Sequence, residues 1–523
     1  MMDMEKRTPF LDKVLAGIDP QGYFNQQNLH PKMALPSACQ AVQAFKSRIK
    51  QAVSQKEKIL IAGDYDCDGV MATAIMVSGL RSLGVETGFY IPDRIKEGYG
   101  LNPSTVRMAK EKGYSLIITV DNGVKAFKAL EEAQKLGMEV IVTDHHTIEE
   151  EVKPCSIVVH PDLMEEPFQY LCGAGVAYEL MRALDADTEA HLIWAAMASI
   201  GDVMTVKDET RAIIQMGLEK LNRNGELHIN SLCRDSRITE TTAAFQIVPA
   251  INAIGRLSDM ANANNLVRWL LTVNPASVYN FADSIKEINS RRKSMSEQMS
   301  MMAQTKIRLT HPVLLASDPS FHEGIIGLIA GQLCSQYDKP AIVGAQNLDC
   351  VKCSMRSPEG FHCLDFLNKF EKFIAIGGHA RAAGFSVALE DWEDFKKFVF
   401  RQGLKEQWTP VQKRYIPIEE EEMTIENTES LDVLRPFGPG LEEPVFELDD
   451  PKITSIFDLS QGRHRKFGLA GGANALHFNQ SDTDRSQSVT DILAMKGRLS
   501  INEYQNRKSV SFILDEIDYS EQA

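Results

Sequence analysis

Short apolar segments alternate with amphipathic stretches over residues 58–160 of the chain. The apolar segments predict β-strands, and the stretches with an apolar residue at every third or fourth position predict helices. The expected strands are 58–63, 86–91, 115–120, 138–143 and 156–160, and the expected helices are 69–82, 103–112 and 124–136. Strands and helices in alternation form a mostly parallel sheet with helices on both faces, so the pattern predicts an α/β domain.

The pattern changes after this segment, which predicts further domains. Residues 173–310 are expected to be largely helical, and a second strand–helix pattern begins near Pro312. The C-terminal part contains short strands separated by turns, as in a small β-barrel. We predict an N-terminal helical arm at 1–55, a parallel-sheet catalytic domain at 56–215, a helical connector at 216–308, a smaller α/β domain at 309–415 and a β-barrel domain at 416–523.

The composition bears on the function of the chain mainly through its net charge. The 523 residues have a formal net charge of −15, so a nucleic acid would need a local basic groove or metal ions that offset the acidic side chains. Nine scattered cysteines are typical of reduced thiols in a cytoplasm. Cys350, Cys353, His362 and Cys363 have a poor spacing for tetrahedral zinc, so we expect packing thiols. The chain shows no signal peptide and no apolar run of membrane-spanning length, which predicts a cytoplasmic protein without a membrane segment.

Three carboxylates follow the first predicted strand at alternate positions: Asp64, Asp66 and Asp68, with Gly69 next. Carboxylates in such number cannot lie in an apolar core without cations. The spacing matches the start of a calcium-binding EF-hand loop, but Ile75 stands at the twelfth position, where that loop needs an acid. A strand rather than a helix also precedes the motif. The sequence therefore favours a catalytic metal site.

Further acids and imidazoles follow the other predicted strands. They are Asp121 after the third strand, His145 and His146 after the fourth, and Asp202 at the end of a hydrophobic helix. Each one alone is explained by a turn or a helix cap. Together they lie where ligands of parallel sheets bind, at the carboxyl ends of the strands. Such a group can hold two divalent ions, and mixed carboxylate and imidazole ligands favour Mn²⁺, with Mg²⁺ as a substitute and Zn²⁺ as a further candidate.

The motifs around these residues resemble those of the DHH phosphoesterase superfamily, which is named after Asp144-His145-His146. They are GDYDCDG from residue 63, TVDNG from 119, TDHH from 143 and SIGD from 199. Blocks at 98–101, 173–177, 251–256, 322–327, 354–357, 377–384 and 436–440 are similar to those of the RecJ family within this superfamily. The resemblance extends from about residue 58 to the end. It implies a parallel-sheet DHH domain, a helical connector, a DHH-associated α/β domain and a C-terminal OB-like β-barrel.

The resemblance also implies a role for each matching residue. The metal ligands would be Asp64, Asp66, Asp68, Asp121, His145, His146 and Asp202. The catalytic residues would be His145, His379 near the scissile phosphate, and Asp144, which would orient a ligating histidine. A pocket for the terminal 5′-phosphate would contain Arg94, Arg256, Ser354 and Arg356. The residues themselves add two candidates for binding the strand. The turn at Gly378 could offer backbone N–H groups to a phosphate or be a plain tight turn, and His322 opens a predicted helix whose first N–H groups could bind an anion or have no such role. Guanidinium groups suit a dianionic phosphate, although each arginine alone would be explained equally well by a structural ion pair.

Three positions depart from the family pattern: His160, Ala250 and Cys353 stand where asparagine, arginine and glycine are usual. We expect these departures to lie in nucleotide contacts and not at the metal ligands, so they bear on affinity and on the preference between DNA and RNA. In the C-terminal domain, single-stranded nucleic acid is expected to contact Phe478, Tyr504, Arg463, Arg465 and Lys466.

The resemblance implies a two-metal exonuclease that hydrolyses single-stranded DNA 5′→3′ to mononucleotides in recombination and repair. Expected partners are single-stranded DNA, a single-strand-binding protein and helicases, and the chain is expected to be a monomer. Two alternatives stay open. One is a DHH phosphodiesterase for short oligonucleotides or cyclic dinucleotides, which the long C-terminal part argues against. The other is a non-catalytic RecJ-like replication scaffold, which the complete set of ligands argues against.

Overall fold

The computed structural model describes residues 8–98, 100–408, 414–478, 488–504 and 507–520. The chain divides into two compact units. The larger unit comprises Leu35–Asp202 and Met216–Gln412, and the smaller unit comprises Met1–Ala34, Val203–Gln215 and Lys413–Ala523. Among the described helices, none combines the length and the hydropathy that a membrane span requires.

A five-stranded sheet forms the first part of the larger unit. Its strands are β1 (Lys58–Ala62), β2 (Glu86–Tyr90), β3 (Leu116–Val120), β4 (Glu139–Thr143) and β5 (Ile157–Val159). They lie in the order β2-β1-β3-β4-β5, and every neighbouring pair is parallel. Each strand lies within its predicted range, so the prediction of a parallel α/β domain is confirmed.

Helices precede, connect and follow the strands of this sheet, and two of them begin at residues other than those predicted from the sequence. They are α3 (Gln40–Gln55), α4 (Cys67–Ser82), α5 (Pro103–Glu111), α6 (Phe127–Lys135), α7 (Gly173–Ala183) and α8 (Glu189–Gly201). Helix α4 begins two residues early because the Asp66 carboxylate caps it by accepting the Gly69 N–H at 3.1 Å. Helix α6 begins late, since the preceding Val124 N–H donates to the Asp144 carboxylate at 3.0 Å.

The connector is helical, as predicted. Its helices are α9 (Asp208–Asn224), α10 (Leu227–Leu232), α11 (Glu240–Thr242), a π-helix (Ala243–Ile247), α12 (Val248–Arg256), α13 (Ala263–Leu270) and α14 (Pro275–Lys306). Helix α14 buries one face along its length, through Val278, Ala282, Ile285, Asn289, Ser296, Met299 and Ala303. This spacing of three and four residues is that of a helix packed along one side.

A second, mixed sheet completes the larger unit. Its strands are β6 (Leu314–Asp318), β7 (Ala341–Gln346), β8 (Cys350–Arg356), β9 (Ala375–Gly378) and β10 (Ala382–Ala388), in the order β6-β7-β8-β10-β9. Strands β6 and β7 are parallel and the other pairs are antiparallel. Helices α15 (Ile326–Tyr337), α16 (Cys363–Leu367) and α17 (Trp392–Gly403) complete this domain. Cys353 and Cys363 belong to its hydrophobic core, as expected of packing thiols.

The smaller unit contains a seven-stranded sheet. Its strands are β11 (Ile416–Pro417), β12 (Phe446–Asp449), β13 (Ile453–Leu459), β14 (His464–Leu469), β15 (Asn474–His477), β16 (Ile492–Tyr504) and β17 (Arg507–Tyr519), in the order β11-β12-β16-β17-β15-β14-β13. Three helices belong to the same unit: α1 (Pro9–Ile18), α2 (Gln26–Leu29) and α18 (Ile425–Ser430). The Phe10 ring of α1 stacks on Phe446 of β12 at 6.0 Å, so the start of the N-terminal arm packs on the C-terminal sheet.

Candidate metal centre and phosphate pocket

Three adjacent strands bring the predicted ligands to one edge of the parallel sheet. Strands β1, β3 and β4 are neighbours, with Ala62 opposite Thr119 and Val120 opposite Thr143. The residues that follow these strand ends include Asp64, Asp121, His145 and His146. Because the strands are parallel and nearly in register, the acids and imidazoles that follow them lie in one crevice.

His145 lies at the centre of three carboxylates. Its Nε2 atom is 3.1 Å from Asp121 Oδ1, 3.5 Å from Asp202 Oδ2 and 3.6 Å from Asp68 Oδ2. Two overlapping groups have ligand atoms that all lie within 4.8 Å of one another; they are Asp121 with His145 and His146, and Asp68 with His145 and Asp202. The structure thus brings five of the seven predicted ligands to distances at which they could share metal ions.

The other two predicted ligands, Asp64 and Asp66, lie beside this group. Burial, and then the neighbouring charge of Asp66, raise the pKa of Asp64 to about 7. Burial and the charges of Asp68 and Asp66 likewise raise the pKa of Asp202 to about 8 and that of Asp121 well above its usual range. Crowded carboxylates of this kind resist ionisation until a cation offsets their charge.

Asp121 shows most clearly that a cation fits this centre. Its Oδ1 atom is buried and accepts no hydrogen bond from the described residues. Its backbone has φ of +60°, a left-handed conformation that a residue other than glycine rarely adopts. Such a conformation is often held at a functional site. Gly173 approaches so closely that a Cβ atom there would lie 2.5 Å from Asp121 Cβ. A carboxylate oxygen without a hydrogen bond, beside an imidazole, is a suitable ligand set for Mn²⁺.

Asp68 joins the first turn of α4 to the start of α7. Its two oxygens accept the N–H groups of Gly173 at 2.7 Å and Ala174 at 2.6 Å. A carboxylate is favourable at this position because the free N–H groups and the dipole of a helix N-terminus attract negative charge. Gly173 therefore contributes to the centre twice, by donating to Asp68 and by leaving room for Asp121. Sequence reasoning gave it no role, although the Gly173-Ala174-Gly175 block was visible.

Asp144 holds both histidines. Its Oδ1 atom accepts His146 Nδ1–H at 2.8 Å and the backbone N–H of His145 at 2.7 Å, while Oδ2 accepts the Val124 N–H. Burial alone would raise the pKa of Asp144, but these hydrogen bonds lower it below its usual value. Burial by itself would lower the pKa of His146, but the hydrogen bond to Asp144 and the negative charge of Asp144 raise it to about 9. With Nδ1 bound in this way, Nε2 of His146 is left for a metal ion.

The three departures from the family pattern are all buried, which corrects our expectation that they contact nucleotides. His160 is 1% exposed, Ala250 3% and Cys353 4%. The prediction that none of them touches a ligand is wrong for His160, because its Nε2–H donates to the backbone carbonyl of His146 at 2.8 Å. The departure at this position thus bears on the placement of a ligand rather than on the strand.

The predicted phosphate-binding arginines lie beside the acidic motif. The Arg94 guanidinium lies 4.6 Å from the centre of the Tyr65 ring, and Tyr65 stands between Asp64 and Asp66 in the chain. A Cβ atom at Gly255 would lie 2.6 Å from the same ring, so the residue before Arg256 also packs on Tyr65. Sequence reasoning assigned no role to Tyr65, although its place in the motif could have indicated one.

The second sheet supplies the other predicted phosphate-binding pair. Arg356 Nη1–H donates to Ser354 Oγ at 2.9 Å, and both residues lie in β8. A Cβ atom at Gly327 would lie 3.2 Å from Arg356 Nη2 and from Ser354 Oγ, so this glycine allows α15 to approach them. Burial, and the positive charges of Arg94, Arg292 and Arg356, lower the pKa of Arg256 to about 10. Arg94, Arg292 and Arg356 therefore all lie near Arg256.

The remaining predicted site residues belong to the domain of the second sheet: His322 lies between β6 and α15, Gly378 ends β9, and His379 follows it. His322 Nδ1 accepts the N–H of Gly324, where a Cβ atom would lie 1.9 Å from the carbonyl oxygen of Arg256. Gly378 has φ of +147°, and the next N–H, that of His379, donates to Ala382 O at 2.7 Å. Burial, followed by the positive charges of Lys125 and His146, lowers the pKa of His379, so the charge of His146, a predicted ligand, acts on this ring.

Three family models match the chain. They are the DHH family, N-terminal domain, over residues 58–201, the DHHA1 domain over 310–402 and the RecJ OB domain over 416–516. The three matches correspond to the parallel sheet, to the mixed sheet and to the C-terminal sheet. They lie within three of the domains predicted above, whose boundaries stay a prediction.

Similar proteins and structures share this organisation. The single-stranded-DNA-specific exonuclease RecJ of Bacillus subtilis (strain 168) is 32% identical over 496 residues, which are 91% of this chain and 63% of that protein. The protein of the same name from Escherichia coli (strain K12) is 30% identical over 522 residues, 89% of this chain and 88% of that protein. The crystal structure of RecJ in complex with Mn²⁺ from Thermus thermophilus has a TM-score of 0.87 at 26% identity, covering 98% of this chain and 76% of that one. The chain belongs to the RecJ family.

Proposed function

We propose that the protein is a metal-dependent exonuclease that hydrolyses single-stranded DNA in the 5′→3′ direction and releases mononucleotides. One observation carries the proposal: a carboxylate–imidazole centre and a cluster of arginines meet at Tyr65. That residue follows Asp64 in the chain, and its ring lies under Arg94. A strand whose terminal phosphate is bound by the arginines would thus have its first phosphodiester close to the acidic centre.

The names of the relatives support the substrate and the reaction. The Bacillus subtilis and Escherichia coli relatives are called single-stranded-DNA-specific exonucleases, and the Thermus thermophilus structure holds Mn²⁺. The same carboxylates and imidazoles that crowd together here are suitable Mn²⁺ ligands, and Mg²⁺ would bind the carboxylates. We extend the activity to this chain because it contains all seven predicted ligands.

In this proposal the seven predicted ligands, from Asp64 to Asp202, would hold two divalent ions. Ions held there would supply an activated water and would offset negative charge at the phosphorus. The chain's own residues do the rest. Asp144 keeps the two histidines in place, and the arginines bind the terminal phosphate with paired N–H donors. Binding of one end in a fixed place orients the next phosphodiester for attack, which lowers the barrier by proximity.

His379 is the proposed contact of the second sheet with the scissile phosphate. Its ring lies near His146, and its pKa is lowered by burial and by positive neighbours. It therefore stays largely neutral near pH 7, where one ring N–H could donate to a phosphate oxygen. Gly378 lets the chain turn into this position, because its φ of +147° is strained for other residues.

The C-terminal domain is proposed to bind the strand outside the centre. The Phe478 side chain is 46% exposed, and its ring lies 5.3 Å from that of His464, as in a platform on which a base could stack. Arg465 pairs with Asp458 at 2.8 Å, and Lys466 lies beside it in β14, which also contains His464. The side chain of Tyr504, which we also expected to contact the strand, lies outside the described residues.

The proposal also covers the cellular role, the oligomeric state, the partners and the location of the protein. We place the enzyme in recombination and repair, as a monomer that meets a single-strand-binding protein and helicases. A cytoplasmic location is supported by the nine cysteines, all of which are free thiols in the structure.

Digestion of end-labelled single strands tests the proposed function. The purified protein with Mn²⁺ should release labelled mononucleotide at once from a 5′-labelled strand and late from a 3′-labelled one. Blocking the 5′ end should stop digestion, and blocking the 3′ end should not. A duplex of the same sequence is the control substrate. Early release of the 3′ label would reverse the proposed polarity.

Two comparisons separate this function from its alternatives. A phosphodiesterase for short oligonucleotides would cleave a dinucleotide faster than a long 5′-phosphorylated strand. A replication scaffold would leave every strand intact in the presence of Mn²⁺. We expect cleavage of the long strand to be the fastest reaction, because the arginine pocket and the C-terminal domain both offer contacts that a dinucleotide cannot use.

A further inference from the structure

Arg292 lies in the middle of α14 and is half-buried. Its Nε atom is buried and donates to no acceptor among the described residues. A buried N–H group of a cation that loses water without gaining a hydrogen bond is costly, and native proteins rarely retain such a group without a reason. An incoming anion would remove this cost.

The position of Arg292 on its helix points it towards Arg256. Ile288 and Met295, at four residues before and three residues after it, pack on the core that contains Leu257, the residue after Arg256. Asn289 and Ser296 on the same face are 8% and 5% exposed. Arg292 therefore extends from the side of α14 that packs against the end of α12.

The charge near Arg256 is positive. The guanidinium groups of Arg94, Arg292 and Arg356 all lower the pKa of Arg256, and among the described residues no ion pair joins any of the four arginines to a carboxylate. Asp93 lies beside Arg94, but its carboxylate accepts from Ser258 Oγ at 3.0 Å and from the Ile95 N–H. Guanidinium groups gathered around Arg256 without a paired carboxylate form a site for an anion of more than one charge.

We propose that Arg292 binds a phosphate group at the 5′ end of the DNA strand, beside Arg256. This inference rests on the proposed function and adds a residue to its substrate site. A terminal phosphate monoester and the first phosphodiester offer the same oxygens, and a guanidinium fork can donate two hydrogen bonds to either of them. Arg292 lies outside the motifs that suggested the other arginines, within the exposed-looking run Arg291-Arg292-Lys293.

Equilibrium binding without catalysis tests the inference. Fluorescence anisotropy in EDTA measures the affinity for a 3′-labelled oligothymidylate with a 5′-phosphate or a 5′-hydroxyl. Arg292→Gln should weaken binding of the phosphorylated strand by about tenfold or more, the usual effect of losing a charge-assisted hydrogen bond. Arg292→Lys keeps the charge without the fork and should lose less.

Arg291→Gln is the matched control, since Arg291 is an exposed arginine on the same helix. It should leave the ratio of the two affinities unchanged. A loss in Arg292→Gln for the phosphorylated strand alone assigns the residue to the terminal monoester, and an equal loss for both strands assigns it to the phosphodiester. Unchanged affinity for both strands would overturn the inference, as would a lower unfolding midpoint in urea with no change in affinity.

A digestion assay of the wild-type protein distinguishes failure of this inference from failure of the proposed function. If the wild type degrades single strands with Mn²⁺ while Arg292→Gln binds them normally, the inference alone fails. If the wild type does not cleave at all, the proposed function fails, and a weaker affinity of Arg292→Gln would still identify a phosphate-binding residue. Thermal stabilisation by inorganic phosphate, smaller in Arg292→Gln than in Arg291→Gln, gives a second measurement without any DNA.

Discussion

The Oδ1 atom of Asp144 lies 2.8 Å from Nδ1 of His146, and the hydrogen bond between them leaves the other ring nitrogen of the histidine for a metal ion. Asp144 is 1% exposed and also accepts the Val124 N–H through Oδ2. One buried carboxylate thus sets the tautomer of the histidine and the path of the chain that follows Asp121. Its substitution should affect the metal without removing a ligand.

We expect Asp144→Asn to weaken Mn²⁺ binding by about 10–100-fold, which is typical for a residue that orients a metal ligand. An amide offers one acceptor, so either the histidine or the Val124 N–H loses its partner. Calorimetric titration with Mn²⁺ measures the effect, and Glu150→Gln, an exposed acid nearby, is the control. Equal affinities in the two variants would mean that Asp144 does not position the histidine.

Asp66→Asn should reduce cleavage by more than about 100-fold, because removal of a ligand should cost more than removal of a residue that orients one. Asparagine caps a helix as well as aspartate does, so α4 should keep its start. Binding of a 5′-phosphorylated strand in EDTA should stay close to that of the wild type. Turnover assays with Mn²⁺ measure the change, and normal turnover would remove Asp66 from the metal centre.

Arg356→Ala should reduce the preference for a 5′-phosphate by about tenfold or more, since a charge-assisted hydrogen bond is worth about 1.5–3 kcal/mol. The guanidinium now donates to Ser354 Oγ at 2.9 Å, which holds it in place. Competition between 5′-phosphorylated and 5′-hydroxyl strands measures the preference. Arg401→Ala, at an exposed position of α17, should leave it unchanged. The same preference in both variants would exclude Arg356 from the pocket.

Gly173→Ala should destabilise the protein by about 1–3 kcal/mol, the usual cost of overpacking. The new Cβ atom would lie 2.5 Å from Asp121 Cβ and 2.8 Å from Asp121 Cα, and backbone at this position cannot move freely. Gly331→Ala is the matched control, because a Cβ atom there meets nothing within 4 Å and alanine favours a helix. Urea denaturation should give a lower midpoint for the first variant only. Equal midpoints would show that α7 can shift away from Asp121 at little cost in stability.

Stabilisation by Mn²⁺ should be larger at pH 8 than at pH 6. Without a cation, the pKa values of Asp64 and Asp202 are raised to about 7 and 8, so both carboxyl groups are largely protonated at pH 6 and lose protons as the pH rises to 8. When the pKa of a carboxyl group is higher in the folded than in the unfolded protein, its protonated form stabilises the fold. That stabilisation is lost as the pH rises through the folded-state pKa. Metal binding displaces these protons and becomes more favourable as they leave. Thermal unfolding at each pH, with Mn²⁺ and with EDTA, measures the difference, and a constant difference would contradict it.

Much of the first domain was predictable because its signals are local. Each strand of the parallel sheet is a short apolar run, and each lies within its predicted range. The acids and imidazoles follow those runs directly, so a parallel topology was enough to predict that Asp64, Asp121 and His145 converge. The errors at the starts of α4 and α6 have one cause: carboxylates of the site, Asp66 and Asp144, accept N–H groups there, and periodicity does not record such bonds.

Other features depend on contacts between distant segments. The role of Gly173 follows from its distance to Asp121, and that of His160 from its hydrogen bond to the carbonyl of His146. The three departures from the family pattern look like surface contacts in a sequence comparison and are buried in the fold. A sequence records which residue differs from the usual one, but burial at that position depends on segments that are far away along the chain.

The amino-acid sequence was therefore sufficient to predict the fold class and the resemblance to the RecJ family and to propose a set of metal-binding residues, since these rest on periodicity and on short motifs. The folded structure was needed to show how His145 is surrounded by three carboxylates, that the buried Oδ1 atom of Asp121 accepts no hydrogen bond from the described residues, and where Arg292 lies. Distances of 3–4 Å between side chains arise when strands, helices and loops pack together, and neither periodicity nor motif spacing contains them.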